Sequence, residues 1–286
     1  MKKISDPIDI WNLADRLFPI CRSITGQGVR DTLNILSTYL PNLKIYSVKS
    51  GYKAFDWTVP HEWNVRSAFI EDRNSNKILD FSQNNLHLVG YSQPVDKFIS
   101  LNDLQEHLYS LEDQPDAIPY VTSYYKSRWG FCLSHNQRKL LNQDEYRVHI
   151  DSDLKPGVLN YGELFIPGKT NKEIFLSTYV CHPSMANNEL SGPTVTTALA
   201  QWLSNLSKRH YSYRIVFIPE TIGSIVYLSK KIKHLKKNVI AGFNITCIGD
   251  ERSYSFLPSR DSNTLADRAA KHVLSYIDPN FKEYKW

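Results

Sequence analysis

Hydrophobic and polar positions follow two rhythms along the chain, and the change falls near Gly157. From there onward, apolar runs of strand length alternate with stretches of helical spacing. Strands are predicted at Gly162 to Ile166, Glu173 to Val180, Arg214 to Ile218 and Val239 to Ile245. Helices are predicted at Thr194 to Leu206, Ile222 to Leu235 and Leu265 to Tyr276. The strands are near-continuously apolar, as strands covered on both faces of a mainly parallel sheet are. At the start of the chain, Ile8, Trp11, Leu13, Ala14 and Leu17 form an apolar stripe within residues 4 to 20, and Pro19 ends it. Val29, Leu33, Leu36 and Leu40 mark a second helix stopped by Pro41, and Lys44 to Val48 reads as a short strand.

Between Trp57 and Gly157 the texture differs. Short strand-like runs at Val65 to Glu71, Lys77 to Phe81 and Tyr146 to Ile150 are broken by Asn74-Ser75-Asn76, Asn84-Asn85 and Pro115-Asp116. Ser100 to Leu111 reads as helix, with Ser100 as N-cap and Asp103 in the first turn. The expected organisation is an α/β domain with a mainly parallel sheet flanked by helices, built from residues 1–56 and 157–286, with a small β-rich domain inserted at 57–156. The insert is rich in aromatics, among them Trp57, Trp63, Tyr91, Tyr120, Tyr124, Tyr125, Trp129 and Phe131. They are read first as core and second as a binding surface. His61, His87 and His135 show no ligand spacing.

Composition narrows the function classes. With 286 residues, 42% of them hydrophobic, the chain can bury a large core. A net charge of +5 is mild and makes no case for nucleic acid. The lysines at 230, 231, 233, 236 and 237 read as the solvated face of a helix. Cys21, Cys132, Cys181 and Cys247 are scattered and read as reduced thiols of a cytoplasmic protein. No apolar core follows Met1-Lys2-Lys3, and no apolar run approaches the ~20 residues of a membrane helix.

Three polar segments end three successive predicted strands. His182 follows the first, and the polar loop behind it carries Asn187, Asn188, Glu189 and Ser191 before a helix begins. An imidazole and a carboxylate on such a loop, at the sheet edge where ligands bind, suit a zinc ion. Glu220 follows the second strand and is placed to act as general base. Alone it would read as a helix-start acid. Asp250 follows the third, and reads as a supporting partner or turn residue. The turn Arg22 to Gly28 reads as a helix connector, with a substrate-anion contact through Arg22 or Arg30 as the sharper alternative.

Cys-His-Pro-Ser-Met-Ala-Asn-Asn-Glu-Leu-Ser-Gly-Pro at 181–193, Pro-Glu-Thr-Ile-Gly-Ser at 219–224 and Thr-Cys-Ile-Gly-Asp at 246–250 resemble a bacterial family with an aminopeptidase-like domain. Val121-Thr122-Ser123-Tyr124-Tyr125 and Trp129-Gly130-Phe131-Cys132 extend the resemblance into the insert. It implies the zinc aminopeptidase fold interrupted by a β-rich insertion, in proteins that accompany surface-polysaccharide genes. Carried over by position, His182 matches the first metal-binding His and Glu220 the base. Asn188 stands at the bridging Asp, Thr221 at a Glu ligand and Thr246 at an Asp ligand. The resemblance therefore implies one zinc rather than two, held by His182, Glu189 and a His beyond Trp286, where further sequence is expected. With two of its ligands, this chain is expected to bind zinc weakly. The leading reading is a zinc hydrolase of peptide-like amides, acting on a small peptide or amino-sugar substrate. The alternative is an inactive aminopeptidase-like binding or scaffold protein.

Overall fold

The computed structural model describes residues 8–285. Residues 4 to 7 of the first predicted helix therefore lie outside the described part. In chain order, the elements that build the site are helices α1 (Ile10–Leu17) and α2 (Gln27–Tyr39) and strands β1 (Lys44–Lys49), β2 (Glu62–Glu71), β3 (Lys77–Asp80), β4 (Val95–Ser100), β5 (Glu145–Lys155), β6 (Val158–Ile166) and β7 (Glu173–Tyr179). Then come α3 (Ser191–Asn205), β8 (Ser212–Ile218), α4 (Ile222–Asn238), β9 (Val239–Asn244) and α5 (Leu265–Ile277).

Strands β1, β6, β8, β7 and β9 lie side by side in that order in one sheet. β7 pairs parallel with both β8 and β9, whereas β6 is antiparallel to β1 and to β8. Four strands thus run one way and β6 alone is reversed. The reversal follows from the chain path, because β6 leaves the insert directly and must cross the sheet before the βα alternation begins. One face of the sheet is covered by α1, α2 and α3, through Leu13, Leu17, Val29, Leu33, Leu36, Ala200 and Leu203. The other face meets α4, through Val226 and Tyr227, and the insert.

The insert forms its own antiparallel sheet, ordered β3-β2-β5-β4. Its strands never join the main sheet, yet its core is continuous with that sheet: Leu79, Ile99, Tyr146 and Val148 belong to the same buried cluster as Leu159, Val216, Ile218 and Tyr227. The stretch predicted as helix from Ser100 to Leu111 is helical over Leu101–Leu104 with a 3₁₀ turn at Gln105–His107, and β4 precedes it. Ser100 is the N-cap, accepting from the Asp103 N–H at 3.1 Å.

Trp11, expected in the apolar stripe of the first helix, faces outward at 82% exposed, as does Trp202 of α3 at 60%. The inner face of α3 is built instead from Thr194, Thr196, Thr197, Ala200 and Leu203. Thr194 and Thr197 return their hydroxyl protons to Leu190 O and Pro193 O at 2.8 and 2.7 Å, which lets a hydroxyl be buried without a neighbour's help.

The neck of the insert is fastened by one carboxylate. Glu62 Oε1 accepts from Arg30 Nη2 of α2 at 2.6 Å and from Asn64 Nδ2 at 3.0 Å, while Oε2 accepts from the Val158 N–H at 3.0 Å. Burial alone would raise this carboxyl, but the Arg30, Asn64 and Val158 bonds outweigh it and hold it down at about 2. A depressed acid gives stability that is present above its ordinary value of 4.5 and is lost as pH falls toward about 2. Glu62→Gln is expected to cost about 2–3 kcal/mol at neutral pH and almost nothing near pH 2. Urea unfolding at the two pH values checks this, and equal losses at both would remove the charge from the account.

Candidate metal and catalytic site

Strand pairing delivers His182 and Glu220 to one place. Tyr179 at the end of β7 is in register with Ile218 at the end of β8. His182 and Glu220 stand just past those ends, and their side chains meet, His182 Nε2 lying 3.2 Å from Glu220 Oε1. His182 is 4% exposed, while the Glu220 side chain is 43% exposed. The hydrogen bond from His182 outweighs burial and holds the Glu220 carboxyl below the usual carboxylate range, so it is ionised at neutral pH.

The other ring nitrogen of His182 is taken by the insert. Tyr120 Oη lies 2.9 Å from Nδ1, and Tyr124 Oη lies 2.8 Å from Tyr120 Oη. Both phenols are pushed above their ordinary range, chiefly by burial. Tyr179 adds an edge-on ring contact to His182 at 5.2 Å. Tyr125 is the outermost of this aromatic group, 68% exposed and within the field of Glu220. The insert's aromatics thus divide. Trp63, Tyr91, Phe131 and Tyr146 are core, and Tyr120, Tyr124 and Tyr125 border the site.

Cys181 completes the group. Its Sγ accepts from the Glu220 N–H at 3.3 Å and lies 3.8 Å from His182 Nδ1. Among the described residues, Cys181, His182 and Glu220 bring donor atoms within 4.8 Å of one another. Burial, with the charge of Glu189 adding to it, pushes the Cys181 thiol well above its usual value. Sequence reasoning missed Cys181 because it counted cysteines for pairing and not for their distance from His182.

Glu189 is not among the donors that come within 4.8 Å of one another. It is fully buried beneath the loop, where Arg22 Nε donates to its Oε1 at 3.0 Å and to His182 O at 2.9 Å. Arg22 Nη1 donates to Leu17 O at 2.7 Å and to Thr32 Oγ1 at 3.3 Å. Glu189, expected as a ligand with His182, anchors the loop from inside through Oε1, while its buried Oε2 makes no hydrogen bond. Burial pushes its carboxyl up to about 8 even against the pull of Arg22. Both arginines of the connector are engaged within the protein: Arg22 is sealed in, and Arg30 serves Glu62, Gln27 and Asn160.

The remaining expected positions are occupied as follows. Asn188 and Thr246 stand around Cys247, Asn188 Nδ2 at 3.8 Å from its Sγ and Thr246 Oγ1 at 3.5 Å. Thr246 also donates to Tyr179 Oη. Asp250 turns back on Arg252, as a turn residue does. His210 and His272 are exposed, and His234 pairs with Glu173 at 2.7 Å on the far side of the sheet. Helix α3 begins close to the edge strand: a Cβ at Gly192 would lie 2.4 Å from Thr178 Oγ1 and 2.5 Å from Ile245 O, so only glycine permits the approach. A π-helical turn at Ala186–Leu190 leads into it and carries Glu189 inward.

Thr221, next to Glu220, has φ 54° and ψ −93°. A β-branched residue pays for that conformation, by about 1–3 kcal/mol. Thr221→Gly is expected to leave stability unchanged or raise it by about 1 kcal/mol, although glycine ordinarily weakens a chain through its unfolded state. Thermal unfolding decides, and a clear loss would show that the turn is unstrained.

Residues 11–286 match the family described as a domain of unknown function (DUF4910). The chain belongs to this family. A candidate polysaccharide biosynthesis protein with an aminopeptidase-like domain, from Clostridium acetobutylicum, is 47% identical over 273 residues, which is 96% of this chain and 62% of that protein. A crystal structure of a candidate peptidase from Clostridium acetobutylicum superposes with a TM-score of 0.94 at 45% identity, over 97% of this chain and 65% of that one. The chain therefore spans somewhat under two thirds of these relatives. The zinc aminopeptidase of Bacillus subtilis gives a TM-score of 0.62 at 11% identity, over 97% of this chain and 79% of that one. A peptidase M28 precursor from Shewanella amazonensis SB2B gives 0.64 at 12%, over 99% and 80%. This DUF4910 chain thus carries an aminopeptidase-like fold. The same comparisons agree with the bacterial family and the fold that its motifs resemble. All four cysteines are free thiols, and among the described residues no helix is long and apolar enough to cross a membrane.

Proposed function

We propose that this chain carries the nucleophile-activating half of a zinc-dependent, aminopeptidase-like hydrolase that cleaves a peptide-like amide. The observation that carries the reading is the His182 Nε2–Glu220 Oε1 pair at 3.2 Å on adjacent parallel strand ends. The donor set fits a zinc-type ion. His182 would offer Nε2 and Cys181 a sulfur that must first lose its proton, with the Glu220 carboxylate standing beside them as base. A bound zinc supplies a water acidified toward pKa ~7 and a polarised carbonyl.

The rest falls to the chain. Glu220 is ionised and half exposed, so its Oε1 can take a proton from an attacking water and return it to the leaving amine. His182 is held from behind by Tyr120 and cannot swing away. Exposed Tyr125, packed on Tyr124, offers a ring against which a sugar or apolar side chain can lie. An amino-sugar amide or aminoacylated glycan precursor is favoured as substrate by the name of the 47%-identical relative.

The test incubates the chain, with and without zinc, with aminoacyl anilides and N-acyl amino sugars, and reads cleavage by mass spectrometry. Zinc-dependent cleavage that disappears in His182→Ala is expected. Zinc binding that His182→Ala leaves intact would overturn the assignment. A second reading, a binding protein without turnover, is favoured by the uncharged Asn188, Thr221 and Thr246 at the remaining ligand positions of the family resemblance. It predicts amide ligands bound and recovered uncleaved.

A further inference from the structure

We infer that the hydroxyl pair Tyr120–Tyr124, supplied by the insert, sets which nitrogen of His182 is free to bind a metal ion; this rests on the reading of His182 as a metal ligand. His182 is buried, and its ring has two partners of opposite character. Nε2 faces the Glu220 carboxylate, which only accepts, and Nδ1 faces a phenol, which accepts or donates. Two arrangements of protons satisfy the same heavy atoms.

In the first, Nε2–H donates to Glu220, Tyr120 O–H donates to Nδ1, and Tyr124 O–H donates to Tyr120. In the second, Nδ1–H donates to Tyr120, Tyr120 O–H donates to Tyr124, and Nε2 presents its lone pair. The second arrangement needs an acceptor for the displaced Tyr124 proton. Ser23 provides it: its buried hydroxyl stands beside Tyr124 with no hydrogen bond of its own. The proton balance closes, because the ring gives up one proton at Nε2 through Glu220 to water and takes one from water at Nδ1, so it stays neutral, while each hydroxyl turns and keeps its own.

Tyr120 is therefore a positioning residue. A histidine that binds metal through one nitrogen keeps its other N–H on a partner, and loss of that partner typically costs 10–100-fold in metal affinity. Here the partner lies 62 residues away in sequence, on the insert. That gives the insert a direct part in the site.

The experiment combines zinc titration with ¹⁵N spectra of His182 in histidine-labelled protein. Tyr120→Phe, which removes only the hydroxyl, is expected to weaken zinc binding about 10–100-fold with little change in melting temperature. Tyr124→Phe is expected to give a smaller loss. In zinc-free Glu220→Ala, His182 is expected to populate the Nδ1–H form, and adding Tyr120→Phe should return it to Nε2–H. Identical ring-nitrogen shifts in those two proteins, or zinc affinity unchanged in Tyr120→Phe, would overturn the inference. His182→Ala separates the two levels: if it keeps wild-type zinc affinity, the metal reading falls, while the zinc-free spectra still decide whether Tyr120 orders the ring.

Discussion

Arg22→Met is expected to destabilise the protein by about 3–5 kcal/mol, because it removes the hydrogen-bond donor that serves a fully buried carboxyl and the buried acceptors around it. Both side chains of the Arg22–Glu189 pair are essentially inaccessible, at 0% and 1% exposure. The guanidinium also ties down His182 O, Leu17 O and Thr32 Oγ1, so its loss strands three acceptors as well as the Glu189 carboxyl. Urea unfolding measures the effect. Arg22→Met combined with Glu189→Leu should recover part of the loss, since an apolar pair of similar volume often replaces a buried ion pair at little cost. Glu189 also sets a pH signature. Its carboxyl is raised from 4.5 to about 8 by burial, so its contribution is fullest below 4.5 and declines as pH rises through that window. The melting temperature of wild type relative to Glu189→Gln should therefore fall between pH 5 and 8. A difference that rises would mean that Arg22 dominates and the carboxyl is depressed.

Glu220→Gln is expected to reduce amide turnover by about 10²–10⁴-fold, the range for loss of a positioned general base. Glutamine keeps the shape and can still meet His182 Nε2, but it cannot accept a proton. Zinc affinity should change much less than turnover, because Nε2 remains in place behind Tyr120. Steady-state kinetics and calorimetry on the same preparation separate the two. A parallel collapse of affinity and turnover would recast Glu220 as a ligand first, alongside Cys181. Unchanged turnover would remove it from the chemistry.

The main sheet was legible because buried strands advertise themselves as apolar runs and their helices as periodic stripes. So was the meeting of His182 with Glu220, since successive strand ends of an open α/β sheet share one edge. What sequence could not carry was direction at long range. Arg22 sits in a glycine-bearing turn that looks exposed, and nothing local says that its guanidinium passes under a loop 160 residues later. Glu189 and Asn188 are neighbours in sequence, and only the π-helical turn decides which of them faces inward. Tyr120 lies in a segment with neither helical nor strand periodicity, so no pattern singled it out. Buried Thr194 and Thr197 of α3 defeated a hydrophobicity count because their hydroxyls are satisfied by their own helix.

The distance between His182 and Glu220 is, in effect, read off a ruler. The graduations are the paired residues of β7 and β8, locked at Tyr179 with Ile218. From that mark each group is reached by a very short tether. Adding or deleting one residue in either tether would displace its side chain by about 3.3 Å, more than the whole span of a hydrogen bond. The sheet itself would scarely register such a change, since its ladder ends before the tethers begin. Length variation at these two points is therefore filtered by chemistry rather than by folding.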